Sequence, residues 1–393
     1  MKYSVRLERL KPSAIRAVQK KISAKGNVIS FAAGLPDPDY FPVEDLKKAT
    51  INMIDKNGTA AFQYGMTRGY GPLIEKIALR LKEKEEIDTT EENIIITTGS
   101  QQGLALAAML FLDEGDIMVS ENPSYLGAIN AARPYGTDFI GVDTDDEGMD
   151  VEKLRKTLEN NPTVKLVYVI PDFQNPTGKA WSLERRKDFM KVIRDFDVMV
   201  VEDNPYGEIR FQGDKIPSLK ALDETNQVIY LGSFSKILSP GIRLAYMCAD
   251  KDVITKAETI KEGWDLQCNQ FTQLMVLEYL NNFDIDAHVN RIRETYRARC
   301  NKMLEGIEKE FPKNIKYTRP DGGMFIWAEL PNNLSADEIL DKALDNGVAY
   351  VPGASFFTDP GHCNTLRLNY TTVSEKEIED GIKLLGQVLR EEC

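Results

Sequence analysis

Six short apolar runs, at residues 93–98, 117–120, 165–170, 198–202, 228–231 and 244–249, recur along the chain with helical patterns between most of them. Each reads as a buried strand. Parallel neighbours need helix-sized crossovers, so strands alternating with helices predict a largely parallel sheet with helices on both faces. Only a short loop separates residues 231 and 244, so the last strand is expected to run antiparallel. With 393 residues and 42% hydrophobic content, the chain can bury a core of that size and build more than one domain.

Outside this alternation the pattern changes. Residues 1–30 mix basic and apolar positions, and Pro12-Ser13 reads as a helix start. A glycine and three prolines stiffen residues 31–42 into an irregular segment. A helix is expected over 43–56, ending at Asn57-Gly58, and another over 73–83 after a loop rich in glycine and tyrosine. Beyond residue 251 the chain is mostly helical, with a charged connector around 289–311. Then come strands at 322–329, 348–351 and 365–368, a helix at 336–346 and a last helix from Ser374. That is an α+β unit.

Composition narrows the function classes. Lys and Arg number 49 against 61 Asp and Glu, a net charge of −12, which argues against a general nucleic-acid binder. The five cysteines are scattered and form no Cys-x-x-Cys pair, so neither a disulfide framework nor a zinc cluster is expected. His288 and His362 are the only histidines, too few for a histidine metal site or a Ser-His-Asp centre. The N-terminus shows no signal-peptide pattern, and the longest apolar run, 104–112, is far below the ~20 residues that span a bilayer. A cytoplasmic protein without membrane contact is the expectation.

The strand ends carry the chemistry. After the run at 228–231 comes Ser233-Phe234-Ser235-Lys236, with Arg243 beyond it. Two hydroxyls and a guanidinium can hold a phosphate. A desolvated lysine beside another cation can condense with an aldehyde. Pyridoxal 5′-phosphate fits both, although this stretch alone also fits an ordinary solvated loop. Thr97-Thr98-Gly99-Ser100-Gln101 joins a strand to a helix whose N-terminus can receive a phosphate, or is simply capped. Tyr125 follows the next strand, and by itself reads as packing. Asn175 sits in Gln174-Asn175-Pro176-Thr177-Gly178. Asp203 leaves an apolar strand, where a carboxylate is costly unless it meets a cation such as a protonated pyridine nitrogen. Successive strand ends thus deliver phosphate donors, a ring, an amide, an acid and a lysine to the edge where open α/β sheets bind ligands.

In order, the motifs Ile29-Ser30-Phe31-Ala32-Ala33-Gly34-Leu35-Pro36, Gln63-Tyr64-Gly65, Thr98-Gly99-Ser100-Gln101-Gln102, Gln174-Asn175-Pro176-Thr177-Gly178, Glu202-Asp203-Asn204-Pro205-Tyr206, Ser233-Phe234-Ser235-Lys236 and Asn364-Thr365-Leu366-Arg367-Leu368 resemble the fold-type I, class I/II pyridoxal-phosphate aminotransferases. The resemblance spans nearly the whole chain and is nearest to the 2-aminoadipate and kynurenine aminotransferase branch. Ala245 departs from it, since the family usually has glycine there. The resemblance implies an α/β fold with a mostly parallel, seven-stranded-type sheet in a large domain at residues 46–285. A smaller α+β domain would combine residues 1–45 with 286–393.

It also implies roles. Lys236 carries the cofactor aldehyde and moves the substrate Cα proton. Asp203 pairs with the ring nitrogen, and Tyr206 and Asn175 meet the phenolic oxygen. Tyr125 stacks on the ring. Gly99, Ser100, Gln101, Ser233, Ser235 and Arg243 surround the phosphate. Arg367 takes the substrate α-carboxylate beside Gly34 and Asn175. Tyr64 reaches into a second subunit, making a homodimer with shared sites. Arg16 meets a second substrate carboxylate. The implied reaction is ping-pong transfer of an amino group from an L-amino acid (aminoadipate, aromatic, branched-chain or methionine-like) to a 2-oxo acid such as 2-oxoglutarate. Two rivals use parts of the same design: another pyridoxal-phosphate reaction, such as β-elimination or racemisation, and a non-enzymatic sensor. The sensor needs a DNA-binding domain, for which the roughly 30 residues before Ala33 are too few.

Overall fold

Every residue of the segments Ile94–Thr97 and Val228–Ser233 is buried, as strands covered by helices on both faces require. The computed structural model describes residues 2–10, 14–331 and 333–393, so the helix start anticipated at Pro12-Ser13 lies outside the described residues. In chain order the strands are β1 (Ile29–Ser30), β2 (Ile94–Thr97), β3 (Ile117–Asn122), β4 (Asp138–Asp143), β5 (Val164–Val169), β6 (Met199–Asn204), β7 (Val228–Ser233), β8 (Ala245–Cys248), β9 (Lys316–Tyr317), β10 (Phe325–Glu329), β11 (Val348–Ala349), β12 (Val351–Pro352) and β13 (Thr365–Asn369).

A seven-stranded sheet runs β2-β8-β7-β6-β5-β3-β4. β8 is antiparallel to both its neighbours, and the remaining pairs are parallel. On one face Tyr168, Val201, Ile229 and Leu231 join the core with Leu104, Leu106 and Ala107 of the helix Ser100–Phe111. On the other, Val167, Val169 and Val200 meet Leu154 and Leu158 of Val151–Asn160 and Phe189 and Ile193 of Leu183–Ile193. Each fully buried aliphatic or aromatic side chain contributes about 1.5–3 kcal/mol, so this double-faced core dominates the fold's stability. Between β3 and β5 the strand order reverses, and such a switch point opens a crevice at the carboxyl ends of the strands.

A four-stranded antiparallel sheet, β12-β13-β10-β9, forms the second layer system. Beside it the long helix Ile285–Glu310 packs on the last helix, Glu375–Glu392, whose start is a Ser374/Glu377 capping box. β1 pairs in parallel with β11, and Asn369 donates its N–H to the Phe31 carbonyl at 2.8 Å. These bonds tie residues 29–35 to the C-terminal half. The helix Ala14–Lys25 lies against Ala336–Asp345 through the pairs Lys21–Asp341 at 2.7 Å and Lys25–Asp345. Among the described residues no helix is long and apolar enough to cross a membrane.

Several elements differ from the sequence-based expectation, among them the two-residue strands β1 and β9, which it did not include. The helix from Val43 continues through Asn57-Gly58 to Ala61, with only Asn57 leaving helical geometry. Met53 and Ala61, one in each half, are buried, and the helix packs against Gln270–Asn282. β4 was not anticipated. The run at 348–351 splits into β11 and β12, which belong to different sheets.

Candidate active site

The turns leaving β3, β5, β6 and β7 converge on a cavity of about 290 Å³ that β13 closes from the other side. Gly34, Ser100, Gln101, Tyr125, Asn175, Asp203, Tyr206, Ser233, Ser235, Lys236, Arg243 and Arg367 all line it. A larger cleft of about 500 Å³ between Lys179 and Arg319 shares none of them.

At one end sits the N-terminus of Ser100–Phe111, whose first N–H groups are unpaired within the helix. Gly99 caps it at φ +81°, and a Cβ there would lie 2.2 Å from Arg243 Nη2. Gly99 therefore does not line the cavity but leaves the space in which the Arg243 guanidinium lies. Arg243 donates to the Thr98 carbonyl at 3.2 Å. The Ser100 hydroxyl oxygen is buried with no partner among the described residues. The Ser233 hydroxyl accepts the Ser235 N–H at 3.1 Å, which folds both serines toward Lys236.

At the other end Asp203, the fifth residue of β6, is almost fully buried. Its Oδ2 accepts the Tyr168 hydroxyl at 3.0 Å, and its Oδ1 has no partner among the described residues. Burial pushes this carboxyl up to about 7, against the Tyr168 bond and the Lys236 charge. Lys236 lies between the two ends, and its Nζ donates to the Gly34 carbonyl at 2.9 Å. Desolvation, helped by Arg367 and Arg243, pulls its ammonium down to about 8. Burial holds the Tyr125 and Tyr206 hydroxyls above their usual range.

Arg367, from β13, is buried and clamped between aromatic rings, 4.3 Å from the Phe325 centroid and 5.2 Å from that of Phe356. Nη1 donates to Asn175 Oδ1 at 2.8 Å and Nη2 to the Ala32 carbonyl at 3.3 Å, while Nε has no partner among the described residues. Burial lowers its guanidinium to about 10, so it stays charged at neutral pH. The Asn175 side chain also faces the Tyr206 hydroxyl and favours its charged form.

Two expected residues stand apart. Tyr64 is 77% exposed. Arg16 is exposed on Ala14–Lys25, and Gln19, one turn further along that helix, lines the cavity instead. Sequence reasoning missed Gln19, Ile170, Leu104 and Tyr168. Tyr168 carried one signal, a lone hydroxyl inside an apolar strand; the others carried none.

The unpaired groups test the fit of a phosphorylated pyridine aldehyde. A free hydroxyl, a helix N-terminus and a guanidinium await an anion at one end. A buried, unpaired carboxylate oxygen awaits a cation at the other, and a lysine of lowered pKa lies between. The residues fit pyridoxal phosphate.

Residues 26–385 match the family model of class I and II aminotransferases. An aromatic-amino-acid aminotransferase of Thermococcus litoralis is 42% identical over 387 residues, covering 98% of this chain and 93% of that protein. A 2-aminoadipate transaminase of Thermus thermophilus is 40% identical over 385 residues, covering 97% and 95%. Among solved structures, the Pyrococcus horikoshii kynurenine aminotransferase, in complex with pyridoxamine phosphate (PMP), superposes with a TM-score of 0.95 at 40% identity, covering 99% and 97%. The chain belongs to the class I and II aminotransferases, with the fold-type I architecture. It is a pyridoxal-phosphate-dependent aminotransferase.

Proposed function

We propose that the enzyme moves an amino group between L-amino acids and 2-oxo acids of mixed side-chain class, with 2-oxoglutarate as the principal acceptor and aromatic amino acids and 2-aminoadipate among the donors. The observation that carries this reading is the make-up of the substrate end. Among the described residues the cavity-lining cations are Lys236, Arg243 and Arg367, and beyond Arg367 the wall offers Gln19 and Leu35. A fixed buried cation opposite an apolar side chain would cost several kcal/mol, whereas an amide and an aliphatic wall penalise neither class of substrate. The relatives named for aromatic amino acids and for 2-aminoadipate support the same breadth.

In this reading Arg243, Ser100, Gln101, Ser233 and Ser235 hold the cofactor phosphate, with Gly99 giving Arg243 its room. Tyr125 covers the ring, Asn175 and Tyr206 hold the phenolic oxygen, and Asp203 holds the ring nitrogen. When bound, pyridoxal phosphate supplies an aldehyde for the amine and a ring that withdraws electrons from the substrate Cα. Arg367 fixes the substrate α-carboxylate through its planar fork, next to Gly34 and Asn175. Lys236, readily deprotonated, takes the proton from Cα and returns one on the far side of the transfer. Arg16 meets a second carboxylate when the substrate has one. Residues 46–285 act as the cofactor-binding domain, and 1–45 with 286–393 as the domain that closes over substrate. Two copies form a homodimer in which Tyr64 serves the partner's site.

The test is a screen of single amino acids against 2-oxoglutarate, paired with borohydride reduction and peptide mapping. The expected outcome is glutamate formation from aromatic donors and aminoadipate alike, with the reduced label on Lys236. Label on another lysine, or turnover with one donor class only, would overturn the reading.

A further inference from the structure

Tyr168 is a polar residue inside a layer of apolar ones. It is fully buried in the middle of β5, among Val201, Ile229 and Leu231 and under the helix Ser100–Phe111. Phenylalanine would fill the same space. A hydroxyl there is costly unless it finds a partner, so the core alone gives no reason for tyrosine. The sheet register provides the partner. Tyr168 stands opposite Val201, and Asp203 lies two residues further on, on the same face. Diagonal neighbours of this kind are within reach of an aromatic side chain. The hydroxyl meets Asp203 Oδ2 at 3.0 Å, and among the described residues no other donor reaches that carboxylate.

We propose that Tyr168 is a positioning residue for the cofactor ring nitrogen: its hydroxyl anchors one oxygen of Asp203, turns Oδ1 toward the ring and keeps the carboxylate charged. The proposal deepens the proposed function and rests on its assignment of Asp203 to the ring nitrogen. Burial and the nearby Asp203 charge hold the Tyr168 hydroxyl well above its ordinary range, so it remains a donor throughout the working pH range. Asp203 faces few other charges. Lys236 opposes its protonation, while Tyr125 and Tyr206 are neutral neighbours, and Glu121 lies beyond Tyr168. Without the hydroxyl, a buried carboxylate already pushed up to about 7 loses the one hydrogen bond it has among the described residues. The shared proton then moves from the ring nitrogen toward Asp203, and the ring loses the charge that draws electrons from the substrate.

The test uses holoenzyme reconstituted with cofactor carrying an isotopic label at the ring nitrogen, whose NMR shift reports its protonation. In the wild type the nitrogen should stay protonated from about pH 6 to 9, well above the range of a free pyridinium. In Tyr168→Phe it should lose its proton within that range, and cofactor Kd should rise about tenfold or more, as expected for one hydrogen bond to a charged group. In an Asp203→Ala background, Tyr168→Phe should change Kd less than about twofold, because the acceptor of the Tyr168 hydroxyl is gone. A Tyr168→Phe enzyme with lowered Tm but a nitrogen protonated as in the wild type would make the hydroxyl merely structural and overturn the proposal. An equal loss of affinity with and without the Asp203 carboxylate would overturn it too. A wild-type nitrogen that is unprotonated at neutral pH would remove the Asp203 assignment itself, a failure separate from the other two.

Discussion

One buried guanidinium governs the substrate end of the cavity. Arg367 is held by Asn175, the Ala32 carbonyl and two aromatic rings, so it is oriented before any ligand arrives. Lysine cannot reproduce its planar fork, and hydrogen bonds to charged groups contribute roughly 1.5–3 kcal/mol each. Arg367→Lys is therefore expected to raise KM about tenfold or more for every amino and 2-oxo acid tested, because all carry the α-carboxylate. Arg16→Ala should be selective. It is expected to raise KM about tenfold for 2-oxoglutarate and aminoadipate and to leave aromatic donors within about twofold. Half-reaction rates on the two substrate classes decide this, and equal effects on both would return Arg16 to the helix surface. Arg367 was legible in the sequence because its motif is contiguous. Gln19 was not, because the rotational phase of its helix over the cavity depends on tertiary pairs such as Lys21–Asp341.

Among the elements, the joint between β2 and the helix Ser100–Phe111 is the most exacting. Gly99 combines a left-handed φ with a Cβ position 2.2 Å from Arg243 Nη2. Gly99→Ala would force an alanine into φ +81°, ψ 158°, a conformation essentially confined to glycine, at a cost of about 1–3 kcal/mol, and also push the guanidinium away from the helix N-terminus. Cofactor Kd should rise by about tenfold or more, since hydrogen bonds to the phosphate are charge-assisted. Gly103→Ala, inside the same helix and facing Leu231, should lower stability without moving Arg243. Titrating both variants with cofactor separates the two effects, and an unchanged Kd for Gly99→Ala would deny Arg243 its phosphate role. The strands around this joint were legible because burial on both faces makes them continuous apolar runs. β4 was not: it is an edge strand with aspartates at both ends, Gly141 inside it and only Val142 buried. Residues 348–351 read as one strand because nothing local marks the break. Buried Tyr350 makes it, by bonding the Ala336 carbonyl at 2.6 Å where the chain passes from β11 to β12. The site was legible where chemistry sits at strand ends. Tyr168 was hidden because its partner depends on the register between β5 and β6.

For the whole molecule, the chain's surface indicates how the site is completed. Phe62, Tyr64 and Met66 are strongly exposed, and Trp264 and Leu266 are about half exposed. The two segments touch: the Phe62 and Phe271 ring centroids are 5.8 Å apart, and the Gly65 N–H donates to Gln267. The patch also adjoins the phosphate end, since Gln102 bonds Asp265 at 2.6 Å and Thr98 bonds Cys268 at 3.3 Å. Contiguous apolar surface of this kind marks an interaction face, and an isologous dimer would cover it in both copies at once. Tyr64 on that face then lies where it can enter the neighbour's cavity. Mixing Tyr64→Ala with Lys236→Ala subunits under exchanging conditions tests this directly. If sites are shared, one site of each mixed dimer carries both defects and the other carries neither. Half the dimers are mixed at equal input, so activity should return toward about one quarter of wild type. If Tyr64 serves its own chain, every site in the mixed dimer retains one defect, and mixing restores nothing. Recovery at or near zero, with mixed dimers verified by mass, would therefore confine Tyr64 to its own subunit and leave the patch with packing alone to explain it.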